Sequence, residues 1–296
     1  MKIAIAGSSG FIGTRLVESL MSDGHDVLRL VRRPATSATE VQWDPQTGSV
    51  DLERLAGIDA IINLAGAGVG DRRWTNTYKR IILESRVSAT NVCADIAVQL
   101  RPGVLINASA IGWYGDTGST AVDESTERGD GFLADVVAQW EAATQPAQAA
   151  GIRVVNIRTG LVVAAHGGAW ARMLPLFKLG LGGRLGNGKQ YWSYISLQDE
   201  IDAIKFLLHH GAISGPVNLT APTPATNSEV TTAMSRLLRR PALFHVPAFA
   251  LKLVLGEFSQ EVLGSSRVLP KALLDAGFRF THDTLDKTLA TLVDNT

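Results

Sequence analysis

The stretch from Lys2 to Gly13, KIAIAGSSGFIG, constrains the fold of this chain more than any other feature. A strand-length apolar run meets three glycines, and a helical spacing of apolar residues follows. In dinucleotide-binding folds the first glycine permits a tight turn, the second lets the backbone approach the pyrophosphate, and the third lets the helix pack against the strand. The free N–H groups of the helix N terminus attract an anion. The stretch predicts a nucleotide contact through Gly7, Ser9, Gly10, Phe11, Ile12 and Gly13, the alternative being an ordinary strand–turn–helix without ligand.

The first half of the chain continues to alternate strands with helices. This alternation is typical of a doubly wound parallel sheet with helices on both faces, a Rossmann-type α/β fold. The predicted strands after the first are Asp26–Val31, Val41–Asp44, Asp59–Leu64, Val104–Ser109 and Ile152–Ile157. The predicted helices are Thr75–Leu100 and Gly131–Ala150, the latter closed by Gly151.

Beyond about residue 165 the pattern becomes irregular and rich in glycine. A helix over Leu197–His210 and a short strand over Val217–Leu219 are predicted, and this strand is expected to return to the first sheet. Prolines break the helical segments of residues 227–296. We therefore predict a dinucleotide-binding domain over residues 1–165, to which a segment near 190–220 returns. A smaller, mostly helical substrate-side domain is predicted over 166–296, with a ligand cleft between the two.

Charge and composition exclude several classes of function. The 28 basic and 28 acidic residues give no net charge, which favours neither nucleic acid nor an anionic membrane as partner. No apolar run is long enough to span a bilayer, and the N terminus lacks the pattern of a signal peptide. Cys93 is the only cysteine, and the six histidines have no metal-like spacing. A cytoplasmic protein with no membrane partner, no intrachain disulfide and no metal site is expected.

The residues at the end of the second predicted strand indicate which nicotinamide cofactor the chain prefers. In dinucleotide-binding folds an acid at this place binds the ribose of NAD, whereas arginine favours the 2′-phosphate of NADP. Here the strand ends in Val31, Arg32, Arg33 and Pro34. Guanidinium groups form charge-assisted hydrogen bonds with phosphate. The sequence therefore favours NADP(H) over NAD(H), and a solvated basic loop is the alternative.

Two further strand ends are candidates for the cofactor site. Asp44 ends the third strand, where its carboxylate either accepts a hydrogen bond from the adenine amino group or caps the turn before Pro45. Leu64, Ala65 and Gly66 end the fourth strand with mostly small residues. This predicts that the chain passes close to the cofactor there.

The chain resembles an atypical extended short-chain dehydrogenase/reductase of the nucleoside-diphosphate-sugar epimerase-like group, nearly from end to end. The resemblance implies a Rossmann-type domain, a smaller substrate-side domain, a C-terminal domain of unknown function and a bound nicotinamide dinucleotide. It also implies cofactor contacts by Arg86 and by the Leu64–Ala65 pair. The motifs that carry it are GSSGFIG, NLAGA (Asn63–Ala67), RRW (Arg72–Trp74), ESR (Glu84–Arg86), SAIGWYG (Ser109–Gly115), QWE (Gln139–Glu141), the segment Leu179–Asp199 and the segment Val217–Asn227.

The acid–base pair that is usual in this superfamily is missing. Ordinary members use a tyrosine with a lysine four residues later, because a phenol with a pKa of about 10 needs a neighbouring cation near neutral pH. No tyrosine of this chain has such a lysine. If Glu141 matches the acid that follows the usual pair, the two positions are Leu133 and Val137, which cannot transfer protons.

Tyr114 and Ser109 are the remaining catalytic candidates. Tyr114 follows a strand whose end is expected to face the cofactor, so its phenol is a candidate proton donor. Packing under the loop is the alternative role. Ser109 ends the same strand and either orients a substrate or the nicotinamide ribose, or bonds the local backbone.

A basic and aromatic segment in the second half predicts a substrate site. Arg184, Tyr191 and Trp192 would hold an anionic substrate with a flat ring, such as a nucleoside diphosphate, since arginine suits phosphate and an aromatic ring offers a stacking face. A turn-rich hairpin with exposed charges is the alternative.

Two functions remain open from the sequence. The first is an NADP(H)-dependent oxidoreductase or epimerase-like enzyme that acts on a small polar substrate, with nucleotide sugars as a candidate class. The second is a non-catalytic NADP(H)-binding protein that acts as a redox sensor or scaffold, which the missing Tyr/Lys pair favours. A homodimer is compatible with either.

Overall fold

The fold is that of a computed structural model, which describes residues 1–293. The strands within this range are β1 (Lys2–Ala6), β2 (Asp26–Val31), β3 (Glu40–Asp44), β4 (Ser49–Val50), β5 (Ala60–Asn63), β6 (Val104–Ala110), β7 (Ala121–Val122), β8 (Arg153–Thr159), β9 (Leu161–Val163), β10 (Gly183–Leu185), β11 (Tyr191–Trp192), β12 (Tyr194–Ser196), β13 (Gly215–Leu219), β14 (Ala225–Thr226), β15 (Phe244–Val246) and β16 (Arg267–Val268). The α-helices are α1 (Phe11–Ser22), α2 (Asn76–Leu100), α3 (Phe132–Ala142), α4 (Gln145–Ala149), α5 (Gly168–Lys178), α6 (Leu197–His209), α7 (Asn227–Leu238), α8 (Ala248–Leu255), α9 (Ser259–Leu263), α10 (Lys271–Asp275) and α11 (Leu285–Ala290).

The main sheet has eight strands in the order β13-β8-β6-β5-β1-β2-β3-β4. Its neighbouring strands run parallel except β3 and β4. The strand order reverses at β1, with β5 on one side and β2 on the other. In open parallel sheets such a reversal leaves a crevice at the carboxyl ends of the strands, where ligands bind. The predicted Rossmann-type fold class is confirmed, and β13 returns to the sheet as expected.

The two faces of the sheet are buried in separate cores. In β1, Ile3 and Ile5 join one apolar cluster, while Ala4 and Ala6 join the other. Successive side chains of a strand point to opposite faces, so a continuous apolar run fits a strand that is covered on both sides. Helices α1 and α6 contribute to the first cluster, and α2 and α4 contribute to the second. This arrangement holds the strand ends rigidly at the crevice.

One predicted helix is divided. The expected helix over residues 131–150 is wrong as a single element, because α3 ends at Ala142 and α4 starts at Gln145. Pro146 lies in the first turn of α4, where its missing N–H is tolerated. The same proline inside a continuous helix would remove a hydrogen bond and clash with the preceding turn.

The second half of the described chain adds a smaller apolar cluster beside the sheet. Side chains of α5, α7 and α11 form it, with Trp170, Phe177 and Met234 among its buried members. The domain boundary near residue 165 remains a prediction. Within residues 1–293 no helix combines the length and the apolar content that a bilayer crossing requires.

Candidate functional site

The glycine turn after β1 has the geometry that its sequence predicts. Gly7 has a positive φ of 75°, a conformation that side chains with a Cβ rarely adopt. A Cβ on Gly13 would lie 2.2 Å from the Gly7 carbonyl oxygen, and one on Gly10 would lie 3.2 Å from the same atom. Gly13 therefore allows α1 to start directly against the turn.

The first turn of α1 presents unpaired amides. The backbone N–H groups of Phe11, Ile12 and Gly13 have no acceptor among residues 1–293, and the helix has neither a side-chain cap nor an acid in its first turn. Three such donors carry the partial positive charge of the helix dipole. The turn and the helix start fit the pyrophosphate of a dinucleotide, because an anion would satisfy all of these groups.

The end of β5 lies directly against this turn. A Cβ on Gly7 would lie 2.6 Å from the carbonyl carbon and oxygen of Leu64. The Ala65 amide donates to Asn63 Oδ1 at 3.1 Å, which fixes the chain as it leaves the strand. The structure thus brings Leu64 and Ala65 next to the glycine turn, and their contact with a cofactor stays a prediction.

Three asparagines that the sequence analysis missed hold the strand ends together. Asn63, Asn107 and Asn156 lie side by side on β5, β6 and β8. Asn63 Nδ2 donates to Asn107 Oδ1 at 2.8 Å, and Asn107 Nδ2 donates to Asn156 Oδ1 at 3.3 Å. Thr90 of α2 joins this buried network. An asparagine inside each of three apolar strands was the available indication, since buried amides need partners.

The two arginines after β2 have different partners. Arg33 forms a two-pronged ion pair with Glu40, with nitrogen–oxygen distances of 2.7 and 2.9 Å. This guanidinium lowers the pKa of the Glu40 carboxyl to about 2. Arg32 is exposed, and its guanidinium has no protein partner within residues 1–293. Of the predicted pair of phosphate ligands, only the guanidinium of Arg32 is unpaired within residues 1–293, and a phosphate contact of either arginine stays a prediction.

Asp44 caps a turn. Its carboxylate accepts from the Gln46 amide at 2.9 Å and from Thr47 Oγ1 at 3.0 Å. The Gln46 amide, followed by the Thr47 hydroxyl, lowers the pKa of the Asp44 carboxyl. The second of the two predicted roles is thus present, and a contact with adenine stays a prediction.

Arg86 lies against the chain that leaves β5, whereas Arg32 follows β2 on the other side of β1. The side chain of Arg86 passes against Gly66, where a Cβ would lie 3.3 Å from Arg86 Cγ. Nη1 donates to the Ile82 carbonyl at 2.9 Å, and the guanidinium carbon lies 5.0 Å from the centroid of Trp140. Burial lowers the pKa of Arg86 to about 10, so the group stays charged near neutral pH. No carboxylate within the described chain pairs with this cation, which suits it to an anionic or polar ligand group.

Ser109 and Tyr114 belong to one buried hydrogen-bond network. Ser109 Oγ donates to Glu141 Oε1 at 2.5 Å, and Arg158 binds the same carboxylate through two nitrogens at 2.8 and 2.9 Å. Arg158 Nη1 also donates to the Tyr114 hydroxyl at 3.1 Å. The guanidinium carbon lies 4.0 Å from the centroid of Trp113. The Glu141–Arg158 pair was not predicted, although an arginine inside an apolar strand indicates a buried ion pair.

The phenol of Tyr114 is sealed inside this network. It donates to Asn218 Oδ1 at 2.8 Å, and the residue is only 4% exposed. Burial raises the pKa of the phenol, and the nearby Arg158 only partly offsets that effect. Leu133 packs near Gly112 at the end of β6, and Val137 is buried. These contacts match the packing role of Tyr114, and proton transfer by its phenol stays a prediction.

Replacing Tyr114 with phenylalanine is expected to lower the free energy of unfolding by about 1–3 kcal/mol. The variant leaves Asn218 Oδ1 and Arg158 Nη1 without a partner in a buried place. Urea denaturation measures this, with Tyr191→Phe as control, since no hydrogen bond of the half-buried Tyr191 hydroxyl is found within residues 1–293. An equal loss in both variants would contradict the structural role of the phenol.

A second buried carboxyl, that of Glu200 in α6, lies next to the last residue of β8. Thr159 Oγ1 donates to Glu200 Oε1 at 2.8 Å. Glu200 is fully buried, and within the described residues its Oε2 atom has no hydrogen-bond partner. Burial raises the pKa of this carboxyl to about 8, because the charged form is poorly solvated there.

The predicted substrate residues are not gathered into one site. The ring of Trp192 is buried in the smaller apolar cluster and packs edge-on against Trp170 at 6.5 Å, so its stacking on a substrate stays a prediction. A large ring among apolar neighbours gains more by burial than by exposure to a ligand. Tyr191 lies beside the guanidinium of Arg267 at 5.0 Å, while Arg184 is exposed on the separate β10–β15 pair. Substrate contacts of Arg184 and Tyr191 stay predictions.

Comparison with known proteins gives the family. Residues 3–220 match the model of the NAD dependent epimerase/dehydratase family, and residues 246–292 match DUF1731, a domain of unknown function. The chain belongs to the NAD dependent epimerase/dehydratase family. The resemblance to nucleoside-diphosphate-sugar epimerase-like dehydrogenases/reductases is thereby confirmed, together with the C-terminal domain of unknown function.

Individual members of this family match over almost the whole chain. The epimerase family protein ML0860 of Mycobacterium leprae is 45% identical, over 97% of this chain and 94% of its own length. The human epimerase family protein SDR39U1, solved with NADPH, superposes with a TM-score of 0.92 at 29% identity and covers all of both chains. MoeE5, solved with UDP-glucose and NAD, has a TM-score of 0.77 at 20% identity over 99% of this chain and 98% of its own, which supports the fold alone.

Proposed function

We propose that the chain binds NADP(H) and transfers hydride between this cofactor and a small polar substrate. Nucleotide sugars are the first substrate class to test, since MoeE5, which shares the fold, was solved with UDP-glucose. The free guanidinium of Arg32 at the end of β2 carries the choice of NADP(H), because a 2′-phosphate there would gain charge-assisted hydrogen bonds. The human relative with NADPH supports the same choice.

The protein's part in this function is binding and orientation. The free amides of Phe11, Ile12 and Gly13 would hold the pyrophosphate, and Arg32 would hold the 2′-phosphate. Leu64 and Ala65 would lie along the cofactor. When bound, the nicotinamide group supplies hydride transfer, and the protein supplies position and electrostatics.

The part of the crevice where we place the substrate would offer a cation and a fixed hydroxyl group. Arg86 brings a partly buried cation that has no carboxylate partner within residues 1–293, which suits it to a phosphate or a polar ribose group. Ser109 is held by Glu141, so its hydroxyl oxygen keeps a fixed position at the end of β6. A proton that accompanies hydride transfer would then come from Tyr114, from an acid near the crevice, or from water.

Replacing Arg32 with alanine is expected to weaken NADPH binding by about 10- to 100-fold, the cost of hydrogen bonds to a charged group. NADH binding should change little, since NADH lacks the 2′-phosphate. Calorimetric titration with both coenzymes measures the difference. Arg33→Ala is the matched control and should weaken NADPH less, because Arg33 already binds Glu40. Equal losses of NADPH and NADH in Arg32→Ala would refute the role in phosphate binding.

A non-catalytic NADP(H)-binding protein is the second candidate function. The apolar residues Leu133 and Val137 at the usual acid–base positions favour it, as does the sealed phenol of Tyr114. Steady-state NADPH oxidation, screened against carbonyl compounds and nucleotide sugars, separates the two candidates. Tight NADPH binding without turnover of any compound would favour a redox sensor or scaffold. A proposed homodimer is compatible with both.

A further inference from the structure

The smaller half of the molecule carries an uncovered apolar face. Large apolar side chains of two segments are exposed to solvent, with Leu243 89%, Leu253 75%, Phe249 74% and Leu179 72% accessible. Monomeric soluble proteins rarely leave contiguous apolar surface of this kind without a partner. We call this surface the apolar face and define it by six large apolar residues that are each more than half exposed, namely Leu179, Leu243, Phe244, Phe249, Leu253 and Val254.

The two segments of the apolar face are joined in space. Strands β10 and β15 pair, with Gly183 opposite Phe244. A Cβ on Gly180 would lie 3.6 Å from Pro241, so the chain around Leu179 lies beside the residues before β15. Helix α8 follows β15 after a single proline and buries none of its residues. An apolar helix without a buried side is unstable in water alone, so this face is built to be covered.

The two segments that carry the apolar face are rich in cations, and Glu257, the acid that directly follows the second segment, pairs with Lys79. Residues 168–189 and 239–256 contain no aspartate or glutamate. Arg172 lies near Asp71, across the crevice. The other cations of the two segments are exposed, and no acidic partner pairs with them within residues 1–293: Lys178, Arg184, Lys189, Arg239, Arg240 and Lys252. Although the whole chain is neutral, the two segments that carry the apolar face contain cations without any carboxylate.

We propose that the apolar face docks on an anionic lipid surface. Leucine and phenylalanine side chains that protrude among lysines and arginines suit the boundary between headgroups and acyl chains, where cations meet lipid phosphates. A second copy of the chain would bring the same cations into contact, which opposes pairing. A protein partner is less suited, because the face offers leucine, valine and phenylalanine instead of the tryptophan and tyrosine typical of hot spots. The expectation of no membrane partner rested on the zero net charge and on the lack of a spanning apolar run, and neither reports a local apolar face that is flanked by cations.

Sedimentation with lipid vesicles tests the proposal on the full chain. We expect binding to vesicles of phosphatidylcholine mixed with phosphatidylglycerol, a loss of binding at high salt, and little binding to phosphatidylcholine alone. Lys252→Glu should weaken binding by at least about tenfold, since it reverses one surface charge. The double substitution Phe249→Ser with Leu253→Ser should weaken it similarly by removing inserted side chains. Leu274→Ser, at an exposed leucine of α10 outside the apolar face, is the control and should bind as the parent does.

Each outcome decides the proposal. Selective, salt-sensitive binding that both face variants lose would support it, with circular dichroism confirming that the variants fold. No binding to anionic vesicles, or binding that the face variants keep, would overturn it. Sedimentation equilibrium adds a further contrary result: a dimer that dissociates in the Phe249→Ser/Leu253→Ser variant, without vesicle binding, would assign the face to a second copy. NADPH affinity is measured separately, so failure of either proposal leaves the other standing.

Discussion

Replacing Arg158 with methionine is expected to lower the free energy of unfolding by about 3–5 kcal/mol, the cost of breaking a buried ion pair. The Arg158 side chain is 3% exposed and that of Glu141 is 12% exposed. Without the guanidinium, the Glu141 carboxylate would keep only the Ser109 hydroxyl as partner. A buried charge with one neutral donor is poorly solvated, and Tyr114 would lose a donor as well.

Urea denaturation of matched variants measures this effect. Arg128→Met removes the same group from an exposed ion pair with Asp135 and should cost less than about 1 kcal/mol. Adding Glu141→Leu to Arg158→Met should recover part of the loss, because the uncompensated charge is then gone. Equal losses of unfolding free energy in Arg158→Met and Arg128→Met would show that the buried ion pair stabilises the fold no more than the exposed one.

Replacing Glu200 with glutamine is expected to raise stability at alkaline pH. The folded protein holds the pKa of Glu200 at about 8, against an ordinary value of 4.5. Below pH 4.5 the carboxyl is protonated in both states, so its burial carries no charge penalty. As pH rises toward 8, only the unfolded state gives up the proton, and stability falls by an amount on the order of 5 kcal/mol. Above about pH 8 the loss is complete.

The measurement is the difference in unfolding free energy between Glu200→Gln and the parent across this pH range. Glutamine keeps an acceptor for the Thr159 hydroxyl but does not titrate. The unfolding free energy of Glu200→Gln relative to the parent should rise from pH 5 to pH 8. For the exposed Glu84→Gln the difference from the parent should stay constant over this range. A constant difference between Glu200→Gln and the parent would mean that Glu200 ionises as readily in the folded state as in the unfolded state, which contradicts a raised pKa.

Features with a local cause could be read from the sequence. The glycine turn follows from the steric needs of Gly7 and Gly13 within a few residues of each other. The strands of the sheet follow from apolar runs, and their parallel order follows from the helices between them. The division of the helix near Pro146 also has a local cause, but the prediction of one helix followed the apolar spacing and left the proline out of account.

Features that depend on distant neighbours could not be read in this way. Two adjacent arginines look alike in the sequence, yet Arg33 is bound to Glu40 from the next strand and Arg32 is not. Trp192 has the residue type of a ligand platform, and only its neighbour Trp170 reveals a core position. The partners of Tyr114 come from β8 and β13, which the chain reaches long after this residue.

The sequence by itself determined the class of fold, the glycine turn at the start of α1, and the absence of a tyrosine followed four residues later by lysine, because each depends on residue types at short spacing. The tertiary structure alone decided which charged groups remain free. Glu40 is bound by Arg33, whereas the guanidinium of Arg32 has no partner within residues 1–293, and the buried Glu141 is balanced by Arg158. Pairing of charges depends on which strands become neighbours, and that is a property of the folded chain.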